Sequence, residues 1–170
     1  MQLTLTAEKS ALLKPAELKM IATAICEHTP FKGNVNAFVA WAALPKMRLL
    51  NRTWRNKDKP TNVLSYPQYE LDELKVVIKK QNPRASLHVG DIVLCLPYIK
   101  NEAKAGKKPL NNHLTHLVVH GVLHLLGYDH IKSRDFKVME KLEKAILADL
   151  NIPDPYLLPV PEKKTAKKRS

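Results

Sequence analysis

The sequence predicts an α/β domain, α+β-like in the order of its elements, with about four strands packed with helices. Three observations carry that reading. Val35–Trp41 and Leu87–Leu96 are short runs, apolar on both faces apart from a few polar residues, as strands inside a sheet are. Between and around them lie segments whose apolar residues recur at helical spacing. The length of 170 residues, 45% of them hydrophobic, suits one domain with one sizeable core, and no internal repeat is visible.

Taken in order, Gln2–Thr6 alternates Leu3 and Leu5 with polar residues and predicts a first strand. Pro15 then sits where a helix tolerates proline, and Leu18, Ile21, Ala22 and Ile25 follow at i, i+3, i+4 and i+7, giving one apolar face. Val35–Trp41 is the second strand, and Pro45 opens a short helix carrying Met47, Leu49 and Leu50. Thr61–Pro67 reads as a short strand closed by proline. For Leu71–Lys80, helix periodicity and strand propensity fit equally well, so its type stays open. Leu87–Leu96 is another interior strand, with Gly90 marking a bulge or a close backbone approach and Asp91 a hydrogen-bonded structural group. Tyr98–Gly106 is helical and is broken by Gly106–Pro109.

Asn111 or Asn112 can cap the next helix, which is apolar on nearly every side and therefore buried. Core or surface roles are expected for His113 and His116; the alternative for His116, four residues before His120, is a hydrogen bond supporting a ligand or a place at the pocket mouth. Ser133 caps a last helix, with Asp135 in its first turn, an apolar stripe of Val138, Met139, Leu142, Ile146 and Leu150, and a Glu140–Lys144 pair. Pro153 and Pro155 end regular structure. From Pro159 onward the chain is basic and poor in apolar residues, which predicts a disordered tail, so the domain is placed at 1–156 and the tail at 157–170.

The most informative stretch is His120–His130. Residues four apart stack on one helix face, so His120 and His124 can reach one ion. His130 joins them only if the chain turns back after His124, and Gly127 can take the left-handed conformation such a turn needs. Three imidazoles converging at the exposed end of a buried helix make a zinc-type site with an open fourth position, which is the catalytic rather than the structural pattern. The spacing resembles the long zincin signature H-E-x-x-H-x-x-G-x-x-H, whose glutamate is the general base. Here that position is Gly121, so a peptidase would lack its proton acceptor.

The segment from Met47 to Pro60 concentrates Arg48, Arg52, Arg55, Lys57 and Lys59 around Trp54. Arginine offers a planar fork of donors to phosphate oxygens. An indole among them can stack on a base or pack inward, and the inward, core-anchoring position is the expected one for Trp54. The formal charge of +12 points to an anionic partner, nucleic acid first and an anionic membrane surface second. Cys26 and Cys95 are far apart among apolar neighbours, so buried free thiols and a reducing cytoplasm are expected. Met1–Ser10 lacks the basic start and apolar run of a signal peptide, and no stretch is apolar for long enough to span a bilayer.

Three segments in order, Arg55–Pro67, Val89–Val93 and His116–His130, give a chain that resembles the YbeY family of bacterial endoribonucleases that act in ribosomal RNA maturation. The resemblance extends from Met1 to about Tyr156. It implies a small mixed sheet, a zinc or similar divalent ion on His120, His124 and His130, one per chain, and a functional arginine at Arg55. It also implies single-stranded RNA as substrate, processing of the 16S 3′ end, ribosome quality control, and the small ribosomal subunit with its proteins as partners. The lysine-bearing stretch between Tyr66 and Leu87 and the basic tail depart from the family pattern. Two other classes remain open from the residues: a non-catalytic ribosome-assembly factor with a bound metal, and a zinc hydrolase of another substrate class.

Overall fold

A computed structural model describes residues 2–10, 12–82, 84–128 and 133–157, the side chains of 133–135 excepted. The elements run β1 (Gln2–Ala7), α1 (Pro15–His28), β2 (Asn34–Trp41), α2 (Leu44–Arg55), β3 (Val63–Pro67), α3 (Leu71–Lys80), β4 (Leu87–Leu94), α4 (Leu96–Ala105), α5 (Leu110–Leu125) and α6 (Ser133–Asp149). Four strands form one sheet in the order β1-β2-β4-β3. β2 is parallel to β1 and to β4, and β3 closes the other edge antiparallel to β4. The sheet is therefore mixed, as expected.

β2 and β4 are interior in their pairing. Their faces are unequal, however: Val35, Ala37 and Val39 are sealed in the core, while the alternating Asn36, Phe38 and Ala40 are partly covered. Gly90 carries both predicted features. The β2–β4 register slips there, with His88 opposite Asn36 and Gly90 opposite Ala37, and its φ is +141°. A Cβ at that position would lie 2.2 Å from the Tyr66 carbonyl oxygen, so only glycine lets β3 come this close.

The open segment is a helix. Leu74 and Ile78, four apart, are buried, and Val76 between them is exposed, as helical spacing requires. Asp72 and Glu73 in the first turn and Lys79 and Lys80 in the last suit the helix dipole.

α5 is the centre of the fold and packs against β3, β4, α1, α4 and α6. Leu114, Val118, Val119, Val122, Leu123 and Leu125 are at most 1% exposed. Burying one such side chain contributes about 1.5–3 kcal/mol. The helix starts earlier than the asparagines suggested. Pro109 is its N-cap, with φ already −57° and its carbonyl accepting the His113 N–H at 3.1 Å, so Asn111 and Asn112 fall inside the first turn.

In α6 the inward stripe is Met139, Glu143, Ile146 and Leu147, while Val138 is 48% exposed and does not belong to it. The expected cap by the Ser133 side chain lies outside the described residues, as does the tail from 158 onward. A smaller apolar cluster of Met47, Leu64 and Cys95 lies on the opposite face of the sheet, since Leu64 and Val93 alternate with residues of the main core. Cys26 and Cys95 are free thiols, Cys95 fully buried. No helix among the described residues is long and apolar enough to cross a membrane.

Candidate active site

The site is built on the C-terminal end of α5. Leu126 closes the helix, Gly127 follows at φ +85°, the Gly127 N–H donates to the His124 carbonyl and the Tyr128 N–H to that of Leu123, each at 3.0 Å. These nested bonds turn the chain out of the helix two residues after His124, the task expected of Gly127. From the other side, α3 closes on the turn: a Cβ at Gly127 would meet Leu71 Cδ1 at 2.7 Å. His130, the third expected ligand, lies outside the described residues.

His120 and His124 do share one face, with their Nε2 atoms 3.1 Å apart. Behind them, Glu143 of α6 is 1% exposed. Its Oε1 accepts from His120 Nδ1 at 2.7 Å, and its Oε2 accepts from His116 Nε2 at 3.1 Å and from the Tyr156 hydroxyl. Burial pushes the Glu143 carboxyl up, but the hydrogen bonds from His116, His120 and Tyr156 together outweigh it and hold the group at about 2. Burial, and then the bond to Glu143, push the Tyr156 phenol up.

An ionised carboxylate can only accept, so His120 Nδ1 is the donor, and in the neutral ring this leaves the Nε2 lone pair facing His124. That tautomer is the one a metal-binding imidazole needs, and a carboxylate on the far nitrogen is its usual support. Two nitrogens bound to one tetrahedral zinc at 2.0–2.1 Å stand about 3.3 Å apart, which the observed pair approaches. These residues therefore fit the implied ion. Among the described residues no cluster of three potential ligands occurs, and the third that the sequence supplies, His130, is not among them.

Gly121 explains why no base stands beside His120. It is buried, and a Cβ on it would lie 2.9–3.1 Å from three carbons of Ile92 in β4. The residue after His120 thus faces the sheet, not the cleft, and a glutamate there would enter the core unpaired.

Arg55, the last residue of α2, is exposed and reaches the same cleft as both histidines. That cleft has a volume of about 480 Å³, and its walls also include Ser65, Tyr69, Glu70 and Tyr128. Arg48 is engaged elsewhere, in a two-pronged pair with Asp58 at 2.9 and 2.7 Å, which holds the Asp58 carboxyl below its usual range. Trp54 corrects the sequence reading, being 67% exposed rather than anchored in the core. It shares a helix face with the buried Met47, seven residues earlier, but stands about 10 Å further along the axis. There only the partly buried rim of the small cluster remains, and the ring of Tyr66 in that rim meets the indole at 73° with centroids 5.8 Å apart.

Residues 5–151 match the family model described as Endoribonuclease YbeY. The chain belongs to the YbeY family. It is 44% identical over 145 residues to the Endoribonuclease YbeY of an Acinetobacter baumannii strain, 85% of this chain and 88% of that protein. With the Endoribonuclease YbeY of Zymomonas mobilis it shares 50% identity over 107 residues, 63% of this chain and 60% of that protein. A Thermotoga maritima protein of known solution structure has the same fold at a TM-score of 0.53 and 22% identity, over 88% of this chain and 91% of that one.

The stretch matched by the YbeY model includes Arg55, all of α5 and Glu143, and stops short of Tyr156. Glu143 and Glu70 escaped the sequence reading. For Glu143 a signal existed: it lies four residues after Met139 and three before Ile146, so a carboxylate occupies a core position, where charge is kept only if paired. Glu70 and Tyr156 give no comparable cue, because each lies in an irregular segment. His116, expected in a core or surface role, belongs to the network through Glu143.

Proposed function

We propose that this protein is a metal-dependent endoribonuclease that cuts single-stranded RNA in the cytoplasm during ribosomal RNA maturation, at the 16S 3′ end, on or near the small subunit. The observation that carries the reading is the meeting of Arg55, His120 and His124 in one cleft, in a chain whose relatives are named as endoribonucleases. His120, His124 and His130 would hold the ion, zinc or a similar divalent metal. When bound, such an ion supplies charge to a phosphoryl oxygen and acidifies its water.

The protein's own groups do the rest. Arg55 holds the phosphate by paired N–H donors and stabilises the charge that grows on it. Glu143 fixes the ring of His120 and its tautomer. Glu70 is the carboxylate among the described cleft-lining residues and stands as proton acceptor, the task Gly121 cannot perform. Gly121 also counts against a peptidase.

The test is purified protein of measured metal content, incubated with single-stranded RNA and with a peptide library, before and after chelation. RNA cleavage that disappears on chelation and in His124→Ala, with peptides untouched, is expected. Intact RNA with fully loaded wild-type protein sinks the reading.

A further inference from the structure

Trp54 serves no purpose in the core, yet its position is defined. The indole is held edge-to-face against Tyr66 of β3, so one side is braced by the fold while most of its surface stays in water. Its surroundings are cationic. Between residues 48 and 59 five arginines and lysines face one carboxylate, Asp58, and that carboxylate is bound to Arg48. Arg52 is two residues before Trp54 on the same helix, and Arg55, the neighbour in sequence, opens onto the cleft of His120 and His124.

An aromatic face set among arginines, next in the chain to the arginine that opens onto the cleft, is how proteins hold unpaired nucleotides: cations follow the backbone while rings stack on bases. Trp54 and Arg55 are consecutive in the last turn of α2, their side chains about 100° apart around its axis, so a base on Trp54 and the phosphate on Arg55 belong to the same short stretch of strand. A duplex would keep its bases stacked on each other and could not use this ring.

Resting on the endoribonuclease reading, we infer that Trp54 is a stacking platform for one unpaired base of the strand whose phosphate Arg55 holds, and that it favours single strands. Tyr66 is its positioning residue. The other candidate occupant, a ribosomal protein, lacks the dense negative charge that this surface complements.

The experiment uses the full chain with Trp54→Ala, Trp54→Leu and Trp54→Phe. Binding is measured to a non-cleavable 2′-O-methyl single-stranded octanucleotide, with KM and kcat for the matching RNA. Trp54→Ala and Trp54→Leu are expected to weaken binding and raise KM roughly 5- to 100-fold with kcat held, and Trp54→Phe to keep most of the affinity. One abasic nucleotide placed at the stacking position should weaken wild type and add nothing to Trp54→Ala. The inference is overturned if Trp54→Ala matches wild type on free RNA, including the case where its defect appears only with ribosomal subunits. It is overturned equally if leucine restores binding, since an apolar contact then suffices. Wild-type protein that cuts RNA while the variants match it removes this inference alone; wild type that neither binds nor cuts removes the endoribonuclease reading as well.

Discussion

Replacing Glu143 by glutamine takes one charge from a fully enclosed group while almost preserving its shape. The carboxylate accepts from His116, His120 and Tyr156, and an amide cannot accept on both of its arms. If its oxygen stays on His120, its NH2 confronts the Nε2 proton of His116, and that ring must shift its proton to the buried Nδ1. If the amide turns the other way, His120 must carry its proton on Nε2 and loses the lone pair that faces His124. Either arrangement weakens the support of a ligand ring. Losing such a partner typically lowers metal affinity 10- to 100-fold, about 1.4–2.7 kcal/mol. Global stability should change by much less, because the cost of burying a charge vanishes together with its charged hydrogen bonds. Zinc affinity measured by competition with a chromophoric chelator, alongside circular dichroism, separates the two effects. A folded Glu143→Gln protein that binds zinc within twofold of wild type refutes the role given to this network.

The remaining expectations concern the cleft and its turn. Arg55→Ala should lower kcat/KM for RNA by about 100- to 1000-fold, the usual cost of one transition-state donor, with metal content unchanged; loss of metal in that variant shows the arginine has a structural role instead. Glu70→Gln should cut kcat by at least about 100-fold while leaving oligonucleotide affinity and metal content intact; a wild-type rate removes it as proton acceptor. Gly127→Ala introduces a Cβ at φ +85° and 2.7 Å from Leu71. It should cost about 1–3 kcal/mol, hence a fall in Tm of roughly 2–4 °C per kcal/mol, and an unchanged melting curve would contradict the packing described.

How far the chain can be read without coordinates depends on whether a residue's partners are local. Period and spacing placed the four strands, α1 and the α5 turn, because each pattern repeats within a few residues, and Gly90 and Gly127 marked backbone constraints that no side chain tolerates. Leu71–Lys80 was undecidable because leucine and valine at 74 and 76 serve a strand or a helix, and only tertiary packing buries one and exposes the other. Trp54 was misread for a related reason: it lies on Met47's face, but helix-face reasoning does not say where the packed cluster ends. Likewise His116 and Tyr156 reach Glu143 across 27 and 13 residues of chain respectively, and their rings meet edge-to-face only once the chain has folded.

Gly121 shows why this site had to be assembled from separate elements. α5 presents Gly121 to Ile92 of β4 and His116, His120 and Glu143 to one another across the α5–α6 contact, which leaves one narrow strip of helix for the cleft. Both histidines occupy that strip. A base on the same helix would need either the strip, which is full, or the sheet-facing side, where an unpaired carboxylate would cost several kcal/mol. On the proposed reading the remaining chemistry enters from neighbours that line the same cleft, Arg55 at the end of α2 and Glu70 in the turn between β3 and α3. Groups carried on three different elements can be placed correctly only when the sheet and α5 are already packed, so the activity should disappear at the first loss of tertiary structure.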